Sequence, residues 1–367
     1  RDIVKAAILG AESFGFGTGP LISLGCKFLR ICHLNNCATG VATQDETLRN
    51  EYFAGIPNMV MNYFQFMVRE TRELMAELGV AKLTDLIGRT DLLVELDGVT
   101  DKQKRLVLAP LLESVEPPPT SGLFYSDPNT PDDKGSLNLK IMEQFKEAVA
   151  NKSGGGGSFA IRNTDRSVGA LISGAIAKIY GNKDMSSQPI NLLFNGTAGQ
   201  SFGAWNAGGL NMVLTGDAND YVGKGMAGGK LVVRPPLGVS YKSHEAVIIG
   251  NTCLYGATGG KLFASGKAGE RFCVRNSGAK VVVEGIGDNG CEYMTGGIVT
   301  ILGPTGVNFG AGMTGGFAYI LDESGTLLSR VNPELVEVLS LDGRAVLQEH
   351  LRGIIHRHEE ETGSKKA

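Results

Sequence analysis

Long apolar runs are missing from this 367-residue chain. None approaches the roughly 18 residues that a helix needs to cross a bilayer, and no signal-peptide pattern is read at Arg1. Charge of one sign is scarce too. With 35 Lys and Arg against 38 Asp and Glu, the net charge of -3 gives no electrostatic case for nucleic acid or an anionic membrane as partner. Six cysteines, three of them grouped, suit a reducing cytoplasm better than a disulfide framework. What the chain has in excess is glycine, 52 residues, about twice the average share. The glycines do not recur every third residue, which excludes collagen. Most lie after residue 154 among apolar alternations, which argues against disorder. Hydrophobic content of 42% and charge of 20% fit a soluble globular protein, and the length leaves room for two or three domains with cores of their own.

Cys26, Cys32 and Cys37 have the spacing C-x5-C-x4-C. Three thiolates this close can converge on one inorganic centre, since soft ligands select iron-sulfur clusters, zinc or copper(I) over hard cations. A four-iron cubane uses four thiolates. Three with no near fourth favour a three-iron cluster, 3Fe-4S. Zinc with His33 as fourth ligand is the rival, but the spacing lacks a zinc knuckle and His33 adjoins Cys32, where its geometry would be strained. The plain alternative is three buried or disulfide-forming cysteines.

Along the chain, Asp2 is expected to cap a short helix from Ile3 to Leu9, followed by a strand over Glu12 to Thr18. With no Met at the start, this pair reads as the end of something begun upstream. A long amphipathic helix is predicted from Pro57 to Leu78, with Val60, Phe64, Met67, Leu74 and Leu78 as its buried stripe and Gly79 as its stop. A second helix follows Thr84. The Pro- and Asp-rich stretch 113–135 is linker-like. Ser136 is expected to cap a helix over 136–150, Ser153 to Ser158 marks a hairpin or loop tip, and Thr164 or Asp165 caps a helix to Tyr180.

From Pro189 onward a doublet recurs: Gly208-Gly209, Gly228-Gly229, Gly259-Gly260, Gly278-Ala279, Gly296-Gly297 and Gly315-Gly316, in steps of 20, 31, 19, 18 and 19 residues. A period near 19 accommodates three short strands with tight corners, which is one coil of a parallel β-helix. Glycine suits the corners because a positive φ costs an L-residue about 1 to 2 kcal/mol and glycine almost nothing. The long step, with Arg234 to Gly238 and the strand Ala246 to Gly250, is expected to hold an extra or distorted coil. Cys253, Cys273 and Cys291, spaced 20 and 18 apart, read as core residues.

The runs Gly10 to Thr18, Cys32 to Gln44, Ile161 to Ala170 and Phe194 to Gly203 together resemble the C-terminal part of the glutamate synthase large subunit, over nearly the whole chain. In that family a glutaminase releases ammonia from glutamine. A (β/α)8 barrel carrying FMN then makes L-glutamate from that ammonia and 2-oxoglutarate, a three-iron cluster relays electrons to the FMN, and a C-terminal β-helix braces the assembly. The resemblance implies that Cys26, Cys32 and Cys37 hold the cluster. It also implies that Gly15, Phe16, Gly17 and Thr18 close the barrel's eighth strand and line the FMN phosphate site. Such sites use backbone amides after strands 7 and 8. It further implies a partner that supplies electrons, an NADPH-oxidising flavoprotein small subunit carrying FAD or else ferredoxin, with the NADPH type favoured and a cytoplasmic location. Glutaminase and the first seven barrel strands are absent, so this piece alone is not expected to turn over.

The expected fold is therefore multidomain, α/β plus all-β: the tail of a barrel with its cluster segment over 1–112, a linker and helical connection over 113–188, a right-handed parallel β-helix over 189–330, and a helical tail over 331–367. A non-catalytic scaffold resembling the formylmethanofuran dehydrogenase C subunit is the competing reading. Such a scaffold has no use for the cysteine triad.

Overall fold

The computed structural model describes residues 1–32, 36–43, 45–115, 122–125 and 134–367. The chain divides into two compact units, residues 1–131 and 132–367.

The first unit is helical: α1 (Asp2–Ile8), α2 (Thr18–Ser23), α3 (Glu46–Tyr52), α4 (Pro57–Glu77) and the single turn α5 (Ala109–Leu112). Its small core joins Val4, Ala7 and Ile8 of α1 to Met75 and Leu86. Several details differ from the sequence expectations. Asp2 does not cap α1 but lies in its first turn, where its charge faces the positive helix end. Glu12 to Thr18 is not a strand. It runs as bends into α2, with no partner strand in the described residues to complete a ladder. After Thr84 there is only a 3-10 turn, Leu83–Leu86. Helix α4 has the expected span, with Pro57 at its first turn, yet of its residues only Met75 is buried. Apolar side chains lie on more than one of its faces, and Phe66 and Val68 are exposed. Pro117 to Pro119 and Asp127 to Asp133, the expected linker, lie outside the described residues.

The second unit is a parallel stack of β1 (Gly155–Ile161), β2 (Ile190–Ala198), β3 (Leu210–Ala218), β4 (Lys230–Arg234), β5 (Val247–Ile249), β6 (Lys261–Ala264), β7 (Lys267–Ala268), β8 (Ser277–Val283), β9 (Thr295–Ile301) and β10 (Gly315–Ile320). The main path runs β1-β2-β3-β4-β6-β8-β9-β10, while β5 pairs with β3 and β7. This is the parallel β-helix that the glycine repeat predicts, and β5 belongs to the long step. The stack begins ahead of residue 189. Gly155 to Ser158 is no loop tip but part of β1, whose glycines leave room for Phe145 of α6 (Ser136–Ala150) against Gly157.

Register explains the core. Leu192 stands opposite Met212, Met212 opposite Leu231, Leu231 opposite Leu262, Leu262 opposite Val281 and Val281 opposite Val299, all buried. Burying each such side chain contributes about 1.5 to 3 kcal/mol. Helices α6 and α7 (Ala170–Tyr180) add Ile141, Phe145, Ile172 and Ile176 to the same cluster. Neither has the expected side-chain cap. The buried Asn138 instead accepts from Gly169 N at 3.1 Å through its Oδ1 and donates to Arg166 O, fixing the entry to α7. Helix α8 (Ala345–Thr362) crosses the outer face, packing Ile354 and Ile355 on Val232, Phe263, Val282 and Leu302. There the fully buried Glu284 receives Ser364 Oγ and lies 3.3 Å from the fully buried His358, tying the last residues to the sheet.

The corners carry a pattern that glycine content alone does not reveal. In each coil three residues at alternate positions have left-handed φ: Ser201, Gly203 and Trp205; Tyr221, Gly223 and Gly225; Thr252, Leu254 and Gly256; Arg271, Cys273 and Arg275; Asn289, Cys291 and Tyr293; Asn308, Gly310 and Gly312. Most are not glycine. Their amides donate alternately to the next coil and the previous one, as Arg271 N to Asp288 O at 2.8 Å, Cys273 N to Cys253 O at 2.9 Å and Arg275 N to Glu292 O at 2.8 Å.

The second residue of each Gly-Gly doublet also has positive φ, whereas Ala279 does not. Asn276 holds that corner by accepting from Gly278 N and Ala279 N. At Gly260 (φ +89) an added Cβ would meet Met226 Cε at 2.4 Å and Gly228 O at 2.7 Å; at Gly297 (φ +87) it would meet Ala279 O at 2.5 Å. Replacing either by Val is therefore expected to destabilise the second unit by about 1 to 3 kcal/mol through backbone strain and crowding of the adjacent coil. Urea denaturation measures it, and an unchanged midpoint in both variants would refute the corner assignment.

Candidate functional site

Helix α2 and the segment after it set the positions of the three grouped cysteines. The helix ends at Ser23, and Cys26 N returns to Leu21 O at 3.0 Å. The backbone then turns left-handed at Gly25, Phe28 and Arg30, with the Arg30 guanidinium 4.1 Å from the centre of the Phe28 ring. Left-handed φ at two non-glycine residues costs about 1 to 2 kcal/mol each. Such strain concentrates at functional segments.

All three thiols are free of disulfides, Cys26 half-buried, Cys32 exposed and Cys37 buried. Among the described residues no three His, Cys, Asp or Glu stand gathered at metal-binding separation, so the thiols do not form a ready-made cage. His33, the alternative zinc ligand, lies outside the described residues. The chemistry of the donor set nevertheless fits a soft-metal centre. Cys37 has its pKa lowered, first by the Thr39 hydroxyl 3.3 Å away and then by the backbone amides of Ala42, Thr39 and Val41, against the opposing effect of burial. Hydrogen bonds that favour thiolate favour metal ligation. By contrast, burial pushes Cys253 and Cys291 up to about 12 and raises Cys273 well above the ordinary thiol value. Those three are buried core residues.

Gly15, Phe16, Gly17 and Thr18 form the exposed approach to α2. Phe16 packs edge-on against Phe64 of α4, ring centres 5.2 Å apart, and a Cβ on Gly19 would strike the Tyr63 ring. Gly15 and Gly17 have open space where a Cβ would stand. Beside them Phe14, Phe16, Phe64, Met67 and Met75 line an apolar groove of about 720 Å³. Glu12 makes no ion pair among the described residues; its Oε1 accepts from Tyr125 N at 3.0 Å. Sequence reasoning missed the role of Thr39, which the thiol's closeness in sequence could have suggested.

Residues 138–367 match the family described as GXGXG motif, and residues 1–81 match the one described as conserved region in glutamate synthase. Over its full length the chain is similar to Ferredoxin-dependent glutamate synthase 2 of Synechocystis sp., with 48% identity over 371 residues. It is similar to the Glutamate synthase [NADPH] large chain of Bacillus subtilis, with 45% identity over 370 residues, and to Glutamate synthase [NADH] of Schizosaccharomyces pombe, with 44% over 369. It spans 23%, 24% and 17% of those relatives, respectively.

If the Thr39 hydroxyl holds the Cys37 thiol low, Thr39→Val shifts the Cys37 titration to higher pH, because the ionised form loses its donor. A titration followed by the cysteine ¹³Cβ resonance reads this directly, and an unmoved Cys37 midpoint would show that Thr39 plays no part.

Proposed function

This chain belongs to the family of the glutamate synthase large chain, and we propose on that premise that it is the part of such an enzyme that holds a 3Fe-4S cluster and an edge of the FMN site. The parent activity is the synthesis of L-glutamate from glutamine-derived ammonia and 2-oxoglutarate, a reductive amination on FMN. The observation that carries this reading is the match along the entire chain, cysteine segment and β-helix together. A scaffold made of the β-helix alone would not account for residues 1–81.

Cys26, Cys32 and Cys37 would hold the cluster, whose chemistry when bound is one-electron transfer. The thiol of Cys37 is already held toward its ionised form by Thr39, and Arg30 beside Phe28 places positive charge next to the segment. Gly15, Phe16, Gly17 and Thr18 would present open backbone to the FMN phosphate. Helix α2 joins Thr18 to the cysteine segment, and six helical residues rise only about 9 Å, which supports a reading in which the two proposed sites are within electron-transfer reach. The donor is proposed to be an NADPH-oxidising flavoprotein subunit bearing FAD. The relatives' names include ferredoxin, NADH and NADPH, so ferredoxin is the alternative donor. A cytoplasmic location goes with the free thiols; among the described residues no helix is long and apolar enough to cross a membrane.

In a full-length enzyme carrying this segment, Cys32→Ser is expected to lose iron and sulfide and the EPR signal of the oxidised cluster while the β-helix stays folded. Glutamate formation with the physiological donor should fall to background, with FMN still bleached by dithionite. Full iron content with an unchanged signal would rule out Cys32 as a ligand, and zinc without sulfide in the wild type would sink the cluster reading.

A further inference from the structure

Between α8 and the outer face of the sheet lies a cavity of about 320 Å³, within the size range of small-molecule sites. Its walls are apolar: Phe263, Val282, Ile298 and Ile354. Lys261, Lys280 and Arg357 line it together with one carboxylate, Glu349. Lys230, Lys261 and Lys280 stand at successive rungs of the parallel ladder, each directly opposite the next. Adjacent strands are about 4.8 Å apart, and like charges directly opposite destabilise a sheet.

The other charged groups at this place are committed. Lys230 Nζ lies 2.7 Å from Glu361, Arg357 pairs with Glu360 and Glu361, Glu349 pairs with Arg352, and His350 Nδ1 lies 2.9 Å from the Tyr319 hydroxyl. Of the Lys and Arg residues that line the cavity, Arg357 is paired, and Lys261 and Lys280 have no counter-ion among the described residues. The helix supplies a second, independent feature. Gly353 sits in the interior of α8 and lines the cavity, with nothing within 4 Å of where its Cβ would be. Glycine is the poorest helix former after proline, so its place here is not explained by the helix. It leaves the cavity open.

We propose that this cavity binds a small amphipathic monoanion, a carboxylate on a short aliphatic body, with the acid between Lys261 and Lys280 and the body against Phe263, Val282 and Ile354. The site is independent of the cysteine segment and of the activity proposed above.

Octanoate is the probe, titrated calorimetrically into the full chain. One saturable site is expected, with octanol, which has the same chain length and no charge, binding at least tenfold more weakly. Lys261→Gln with Lys280→Gln should weaken octanoate at least tenfold, and Gly353→Phe, a change that helix propensity favours and that fills the mouth, should abolish binding, with circular dichroism showing both variants folded. Absence of saturable binding up to 5 mM, equal affinity for octanol, or unchanged affinity in either variant would overturn the proposal.

Discussion

Coil-to-coil hydrogen bonding through the alternating left-handed corners is the constraint on which the second unit rests. An amide that points to the next coil, then to the previous one, then to the next again requires the backbone to reverse hand at every residue. Left-handed conformation at Trp205, Leu254, Arg271 and Cys273 is unfavourable taken singly. It persists because each reversal satisfies an amide that would otherwise be buried without a partner, which costs about 1 to 3 kcal/mol. The spacing of the family motif, glycine at every second position, coincides with these left-handed positions in Tyr221-Val-Gly223-Lys-Gly225 and Asn308-Phe-Gly310-Ala-Gly312. Glycine is thus one solution to the corner and not its definition.

Once the corners fix the rise, the faces follow. Strands stay in register from coil to coil, so one inward column is filled by Leu192, Met212, Leu231, Leu262, Val281 and Val299. The same register places like residues over like residues outside, as the three lysines show. Covering part of that outer face falls to α8. Its attachment is polar as well as apolar, since Phe263 stacks on His358 and the buried Glu284 gathers Ser265, Ser364 and His358 at one oxygen. A carboxylate with that many partners on one oxygen fixes the helix's axial position in a way that side-chain packing alone does not.

The solenoid was legible in the sequence because a coil of three short strands and their corners consumes about 19 residues, and few folds besides a parallel β-helix repeat a glycine doublet at that period. The long step correctly pointed to β5. The first coil was not legible. Gly155 to Gly157 reads as a hairpin or loop tip until Phe145 is seen packing against the space those glycines leave. Residues such as Arg275 and Tyr293 gave no sign of left-handed backbone, since nothing in their side chains favours it and only the neighbouring coil imposes it. For α4 the period was right but the burial was not, because periodicity reports which residues share a face and not what covers it. The cysteine spacing proposed a donor set. It could not give the assembly, which depends on a segment that turns left-handed at Phe28 and Arg30.

Among the buried cysteines, environment moves the thiol in opposite directions. Cys253, Cys273 and Cys291 sit where the inward column excludes water, and with burial as the dominant influence their thiols are pushed far above neutral pH. They pack as small apolar groups. Cys37 is buried as well, so burial by itself would push it the same way. The Thr39 hydroxyl and the amides of residues 39, 41 and 42 outweigh that effect. Donors of this kind prevail at Cys37, whereas burial prevails at the three cysteines of the solenoid. The spacing of Cys253, Cys273 and Cys291, 20 and 18 residues, follows from the coil repeat that stacks them in the core.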